Sequence, residues 1–172
     1  MGKGYVHMYT GDGKGKTTAS IGLCVRALGA GLNVYFSQFC KKGDFSELSF
    51  LSKASENIRI EQFGNKEFLN ENNFQDQKDL VSAGFEKVCK EIFSLNYDIA
   101  VLDEIVFAVY SGLIKEDEVA ELLKSKPQQT EVVITGRGEC MLLAEKADIV
   151  TVMENRRHYF EKNVKARKGI EF

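Results

Sequence analysis

Apolar runs of strand length recur along the chain at residues 5–9, 33–39, 58–63, 99–102, 132–135 and 149–153. Between them the apolar positions fall at helical spacing. Residues 16–30 read as a helix ending at Gly31, and 77–93 place Val81, Phe85, Val88 and Ile92 on one face. Residues 116–124 read as a further helix halted by Pro127, and 139–146 as another. The runs at 99–102 and 132–134 are apolar throughout, as expected of parallel strands covered by helices on both faces. Alternating strands and helices predict an α/β fold: a three-layer domain with a mainly parallel central sheet built from the six runs.

Two segments break this rhythm. Residues 40–57 hold a short helix around 45–51, and residues 64–74 are polar and rich in Asn. Both follow a strand, and in open parallel sheets ligands bind beyond the carboxyl ends of strands, so both are candidate substrate loops. For 40–57 an ordinary surface excursion reads equally well. No internal repeat, low-complexity tract or linker divides the chain, so residues 1–172 are expected to form a single domain. The tail 156–172 is basic, with aromatics among its charges.

The formal net charge of -2 leaves no broad basic footprint, so neither nucleic acid nor an anionic membrane is an expected partner. No run of eighteen or more apolar residues occurs, and the start shows no signal-peptide pattern. A soluble, cytoplasmic protein is the expectation. Cys24, Cys40, Cys89 and Cys140 are scattered without a C-x-x-C pair and are expected to be free thiols. His7 is expected to be structural.

The most informative stretch is Tyr-Thr-Gly-Asp-Gly-Lys-Gly-Lys-Thr-Thr at positions 9–18, lying between the first strand and the first helix. Glycines at 11, 13 and 15 let the backbone turn tightly and bring its N–H groups against phosphate oxygens, and the helix start adds its positive end. Lys16 supplies a mobile positive charge, and the Thr17 hydroxyl suits a nucleotide-bound magnesium ion. Thr10, Gly11, Asp12, Gly13, Lys14, Gly15, Lys16, Thr17 and Thr18 thus form a candidate ATP cradle. Thr10 stands where such loops ordinarily begin with glycine.

The apolar run at 99–102 ends in Asp103-Glu104. Magnesium takes hard oxygen ligands and keeps several waters, so one or two carboxylates at a strand end suit it. Together with Thr17, Asp103 and Glu104 are the candidate metal ligands. Thr135-Gly136-Arg137-Gly138 follows the run at 132–134, and Arg137 emerges on the same edge, either to bind phosphate oxygens or as an arginine on a surface turn.

These residues resemble the P-loop ATP:corrinoid adenosyltransferases over the whole chain. The resemblance runs through residues 9–19, Arg26-Ala27-Leu28-Gly29-Ala30-Gly31, Gln38-Phe39, Val101-Leu102-Asp103-Glu104-Ile105, Val133-Ile134-Thr135-Gly136-Arg137 and Ala147-Asp148-Ile149-Val150-Thr151. It ends on Val164-Lys165-Ala166-Arg167-Lys168-Gly169-Ile170-Glu171, the part that separates this family from other P-loop proteins. The resemblance implies transfer of the 5′-deoxyadenosyl group of ATP to the Co(I) of a reduced corrinoid, with triphosphate released, in cobalamin biosynthesis or salvage. Lys16, Thr17, Arg137 and Glu104 are then the catalytic set, with magnesium, or manganese in its place. Members of the family commonly lack the first loop glycine, so Thr10 is part of the resemblance.

The resemblance also implies corrinoid contacts from Phe68, Phe39 and Lys41. In the family an aromatic residue after the third strand displaces the lower axial ligand, so that a flavoprotein can reduce the four-coordinate Co(II). Phe68 matches that position, but the tryptophan many relatives carry two places on falls at Asn70. Either Phe74 substitutes or the wedge is built differently; a Phe68 ring tucked into the core is the plain alternative. Longer relatives carry a helix ahead of the first strand that covers the corrinoid. Here four residues precede Tyr5, implying an open site or a cover from another subunit of a homodimer. His158 either holds substrate or braces the tail.

Two other readings share the phosphate loop: a P-loop ATPase or phosphoryl transferase, and a non-catalytic nucleotide or corrinoid carrier. Release of ADP would favour the first of these. Retention of Lys16, Thr17, Asp103, Glu104 and Arg137 together speaks against the second.

Overall fold

In a computed structural model of the chain, described for residues 2–171, six strands alternate with six α-helices. The strands are β1 (Val6–Thr10), β2 (Val34–Phe39), β3 (Ile58–Phe63), β4 (Ile99–Asp103), β5 (Glu131–Thr135) and β6 (Ile149–Val152). The helices are α1 (Lys16–Gly29), α2 (Ser46–Ala54), α3 (Phe74–Phe93), α4 (Ile105–Tyr110), α5 (Glu116–Ser125) and α6 (Met141–Lys146). The strands form one sheet in the order β3-β2-β4-β5-β1-β6, and every pairing is parallel. The three-layer α/β expectation holds, and the sheet is parallel throughout.

Period-two alternation divides each central strand between two cores. Tyr35, Phe39, Ala100, Leu102, Val132 and Ile134 face a core closed by α3, α4, α5 and α6. Val34, Phe36, Ile99, Val101 and Val133 face another, built on Cys24 and Ala27 of α1 and Leu48 of α2. Because both faces are covered, all of β2 and β4 is buried. Truncating fully buried Phe36 to Ala removes packing on the α1 side at a cost of about 3–5 kcal/mol.

α4 is the element that the pattern of residues does not announce. Its sequence, IVFAVY, is apolar all round, and Ile105, Val106 and Ala108 are buried, so no polar stripe marks a helical period. α2 covers the short helix expected near 45–51, and α3 begins at Phe74, three residues ahead of the position expected from its apolar face. β6 lies at the sheet edge with all four residues exposed. All four cysteines are free, and among the described residues no helix is long and apolar enough to cross a membrane. His7 Nε2 pairs with Glu131 Oε1 at 2.5 Å on the neighbouring strands, a structural contact.

Strand register brings the site together. Gln38 lies beside Asp103 across β2 and β4, Leu102 beside Ile134, and Tyr9 beside Thr135. The ends of β1, β2, β4 and β5 therefore open onto one edge, where the loop that follows β1 meets the acidic end of β4.

Candidate active site

The loop after β1 is fitted to the chain that leaves β6. A Cβ on Gly11 would lie 2.4 Å from the Met153 carbonyl oxygen, and one on Gly13 would lie 2.7 Å from that oxygen and its carbon. Glycine is required here by close backbone approach as well as by the turn. Gly13 N donates to Met153 O at 2.7 Å, and Met153 N to Thr10 O at 2.8 Å. Thr10, Gly11 and Asp12 line a separate cavity on the β6 side of the loop, together with Val150 and Val152.

Lys16 Nζ bridges the loop, donating to the Gly11 carbonyl at 2.6 Å and the Gly13 carbonyl at 2.7 Å. Burial lowers its pKa, partly offset by the charges of Glu104 and Asp12; Arg137 and Lys41 push it further down. Thr17, in the first turn of α1, donates from Oγ1 to Asp103 Oδ1 at 2.9 Å.

Asp103 is the centre of a buried network. Its Oδ1 also accepts from Thr135 Oγ1 at 2.6 Å, and its Oδ2 accepts from Gln38 Nε2 at 2.9 Å. Gln38 Oε1 accepts from Gln62 Nε2 at 2.9 Å, and Gln62 Oε1 from Gly43 N at 3.2 Å. A continuous chain of hydrogen bonds thus links the phosphate loop to the loop after β2. Burial raises the Asp103 pKa, while Lys41, Thr135 and Gln38 oppose that shift. Three directed donors hold a carboxylate that would otherwise be costly so far from water.

Glu104 and Lys41 form the rim. Lys41 Nζ lies 2.8 Å from Glu104 Oε1. Burial lowers the Lys41 pKa, but Glu104 and Asp103 outweigh it and leave it raised. The residues that aim this pair, Cys40 and Glu104, both have left-handed backbone, with φ of 59° and 62°. Such a conformation costs a side-chain-bearing residue about 1–3 kcal/mol and gathers at functional sites.

Between the loop and α2 lies a cleft of about 560 Å³. Residues 13–18 form one wall, Gln38 and the rim pair Lys41 and Glu104 another part of the lining, and Ile21, Phe45, Phe50 and Ile170 an apolar side. Phe50, on that apolar side, is 67% exposed. Thr17 and Glu104 bring oxygen donors to the cleft, and the buried Asp103 carboxylate stands directly behind, 2.9 Å from the Thr17 hydroxyl. That hard donor set fits magnesium.

The structure brings together Gly13, Lys14, Gly15, Lys16, Thr17, Thr18, Lys41, Asp103 and Glu104. Arg137 is exposed on the turn after β5, its guanidinium 5.1 Å from the centre of the Phe107 ring, and it is not part of the cleft wall. Lys41, expected at the corrinoid, lines this cleft, paired with Glu104. Phe39, also expected among the corrinoid contacts, is fully buried with its ring 5.5 Å from Phe63, so it is a core residue beneath the site. Strand parity explains this: Phe39 shares the face of Tyr35, which also points into the core.

Phe68 is 94% exposed on the loop after β3, which excludes a core role. Its carbonyl accepts from Asn70 Nδ2 at 3.1 Å and Asn73 Nδ2 at 3.0 Å, so the loop is braced by asparagines. Phe74, the other aromatic there, is half-buried against the core. The His158 ring lies tilted against that of Tyr159, with centroids 4.6 Å apart, within the tail. Sequence reasoning gave no role to Gln38, Thr135, Gln62 or Phe50; polar residues at the buried ends of apolar strands were the available signal.

Residues 2–172 match the family ATP:corrinoid adenosyltransferase BtuR/CobO/CobP. A corrinoid adenosyltransferase of Pseudomonas aeruginosa is 31% identical, over 99% of this chain and 84% of its own. One from Escherichia coli K12 is 30% identical (99% and 86%), and one from Salmonella typhimurium 31% (99% and 86%). Among solved structures, the flagellar accessory protein FlaH from Methanocaldococcus jannaschii superposes with a TM-score of 0.60 over 88% of this chain and 72% of that one. At 11% identity this is a likeness of fold alone.

Proposed function

Because the chain belongs to the ATP:corrinoid adenosyltransferase family, and its reaction is therefore transfer of the adenosyl group of ATP to a corrinoid in cobalamin biosynthesis, we propose that the cleft between the phosphate loop and α2 carries that transfer. The observation that carries this reading is the convergence of Lys16, Thr17 and the Asp103 network on one cleft with an apolar wall.

The reduced corrinoid brings its own nucleophile. The electron pair of Co(I) attacks C5′ of the ribose, the C5′–O5′ bond breaks, and its electron pair leaves on the triphosphate; cobalt ends formally as Co(III). The protein need supply no general base. It holds C5′ in line with cobalt and stabilises charge on the leaving group. Loop N–H groups and the α1 N-terminus hold the phosphates, and Lys16 exchanges its two carbonyl partners for phosphate oxygens. Lys41 adds a cation at the same end, and Arg137 adds positive potential from the neighbouring turn. Ile21, Phe45 and Phe50 offer the uncharged adenosine an apolar seat.

Thr17, Asp103 and Glu104 would hold magnesium, whose positive charge stabilises the departing triphosphate. Phe68 is read as the residue that meets the corrinoid and displaces its lower axial ligand. Its 94% exposure and its asparagine brace support this. A reducing flavoprotein, a homodimeric assembly, a single domain over the whole chain and a cytoplasmic location complete the proposal. Four free thiols and the absence of a spanning helix among the described residues are consistent with that location.

Phosphorus NMR of an anaerobic reaction containing ATP, magnesium and chemically reduced corrinoid tests the assignment. Inorganic triphosphate equal to the Co(I) consumed is expected. ADP as the phosphorus product would return the chain to ordinary phosphoryl transfer.

A further inference from the structure

The tail, the part of the resemblance that separates this family from other P-loop proteins, has no task in the mechanism, and it returns to the phosphate loop. After β6 the chain passes Met153 against Gly11 and Gly13, makes a 3-10 turn at Tyr159–Lys162, and ends its described course at the cleft. Ile170 N and Glu171 N both donate to Arg167 O, at 3.2 and 3.0 Å, closing a turn around Gly169. Gly169 has φ of 78°, a conformation that favours glycine. This turn sets Gly169, Ile170 and Glu171 into the lining of the cleft beside the loop.

A single carboxylate pins it there. Glu171 Oε1 accepts from Lys14 Nζ at 2.8 Å and from the Tyr159 hydroxyl, and Glu171 Oε2 accepts from Arg167 N at 2.7 Å. The Arg167 guanidinium adds contacts at 3.3 Å. Lys14 Nζ also donates to the Tyr159 hydroxyl at 2.8 Å. The Lys14 ammonium and the Arg167 guanidinium lie 5.5 and 5.2 Å from the centre of the Tyr159 ring. Lys14 stands between two loop glycines, so whatever holds Lys14 holds the loop. The Glu171 side chain is only 17% exposed although its neighbours from 161 to 170 are all exposed. Two cations against one carboxylate leave the cluster net positive at the edge of a site for a polyanion.

We propose that the segment from Tyr159 to Glu171 is a wall of the nucleotide site, and that Glu171 is its positioning residue, acting through Lys14 to hold loop and strap together around ATP. This rests on reading the cleft as the ATP site. The relation is reciprocal: strap contacts with bound nucleotide favour the closed strap, and nucleotide therefore protects it.

The test uses the full chain without corrinoid. ATP binding in the presence of magnesium is measured by calorimetry for wild type, Glu171→Gln, Lys14→Ala and the double variant. Tryptic cleavage at Lys165, Arg167 and Lys168 is followed with and without ATP. Each single variant is expected to bind ATP about five- to tenfold more weakly, the scale of a charge-assisted contact. The double variant should be no weaker than Lys14→Ala, and ATP should slow cleavage several-fold in wild type but little in Glu171→Gln. Turnover should show KM for ATP raised with kcat nearly unchanged, a division that mere loosening of the fold would not produce. Wild-type affinity in Glu171→Gln, or single effects that multiply in the double variant, overturns the positioning role. Cleavage indifferent to ATP in wild type overturns the wall. Failure of wild type to bind ATP at all brings down the reading of the cleft itself.

Discussion

Thr17→Val separates the two tasks of one hydroxyl. Valine keeps the β-branched shape at the start of α1, so helix propensity hardly changes. What is lost is the 2.9 Å bond from Thr17 Oγ1 to Asp103 Oδ1. A hydrogen bond to a charged partner contributes about 1.5–3 kcal/mol. Asp103 keeps Thr135 at 2.6 Å and Gln38 at 2.9 Å, so the lower end applies. A loss of about 1.5 kcal/mol in a chain of this size lowers Tm by roughly 3–6 °C. Loss of a ligand to magnesium should add about a hundredfold fall in kcat/KM, the scale for deleting one group that stabilises leaving charge. Thermal unfolding by circular dichroism and the decay of Co(I) absorbance measure the two effects, and Thr17→Ser should recover most of both. An unchanged Tm together with kcat/KM within about threefold of wild type would refute the role given to this hydroxyl.

Gly13→Ala places a Cβ 2.7 Å from the Met153 carbonyl; overpacking of about 1–3 kcal/mol should displace the loop and weaken ATP binding about tenfold or more by calorimetry. Phe68→Ala removes a ring that is 94% exposed; Tm and the KM for ATP should stay at wild-type values, while formation of four-coordinate Co(II), read by electron paramagnetic resonance, should largely disappear. At Glu61, burial raises the carboxyl pKa, but Lys87, Tyr35 and Arg59 together outweigh it and hold it below the usual 4.5. Its stabilising contribution is therefore full above about pH 4.5 and is lost as pH falls through the lower folded value. Glu61→Gln should lower Tm at pH 7 and flatten the acid limb of Tm against pH; parallel curves for the two proteins would contradict this.

The sequence made the sheet legible because its central strands are buried on both faces: 99–102 and 132–134 are apolar throughout, and 33–39 is largely so. The phosphate loop and the Asp103-Glu104 strand end were legible for a different reason, since phosphate and magnesium chemistry demands those residue types in that order. What stayed hidden was non-local or lacked a period. α4 is apolar on every side, so its helical repeat is invisible. Phe39 looked available until strand parity placed it in the core beside Phe63. Gln38 and Thr135 meet Asp103 only through register, and Lys14 and Glu171 stand 157 positions apart.

In this reaction carbon, not phosphorus, is attacked. ATP carrying oxygen-18 at the 5′ bridging position, incubated anaerobically with the protein, magnesium and Co(I) corrinoid, tests this most directly by mass spectrometry of the products. All of the label should appear in inorganic triphosphate, one for each adenosylated corrinoid formed. Label remaining on a nucleoside product, or release of ADP, would contradict it.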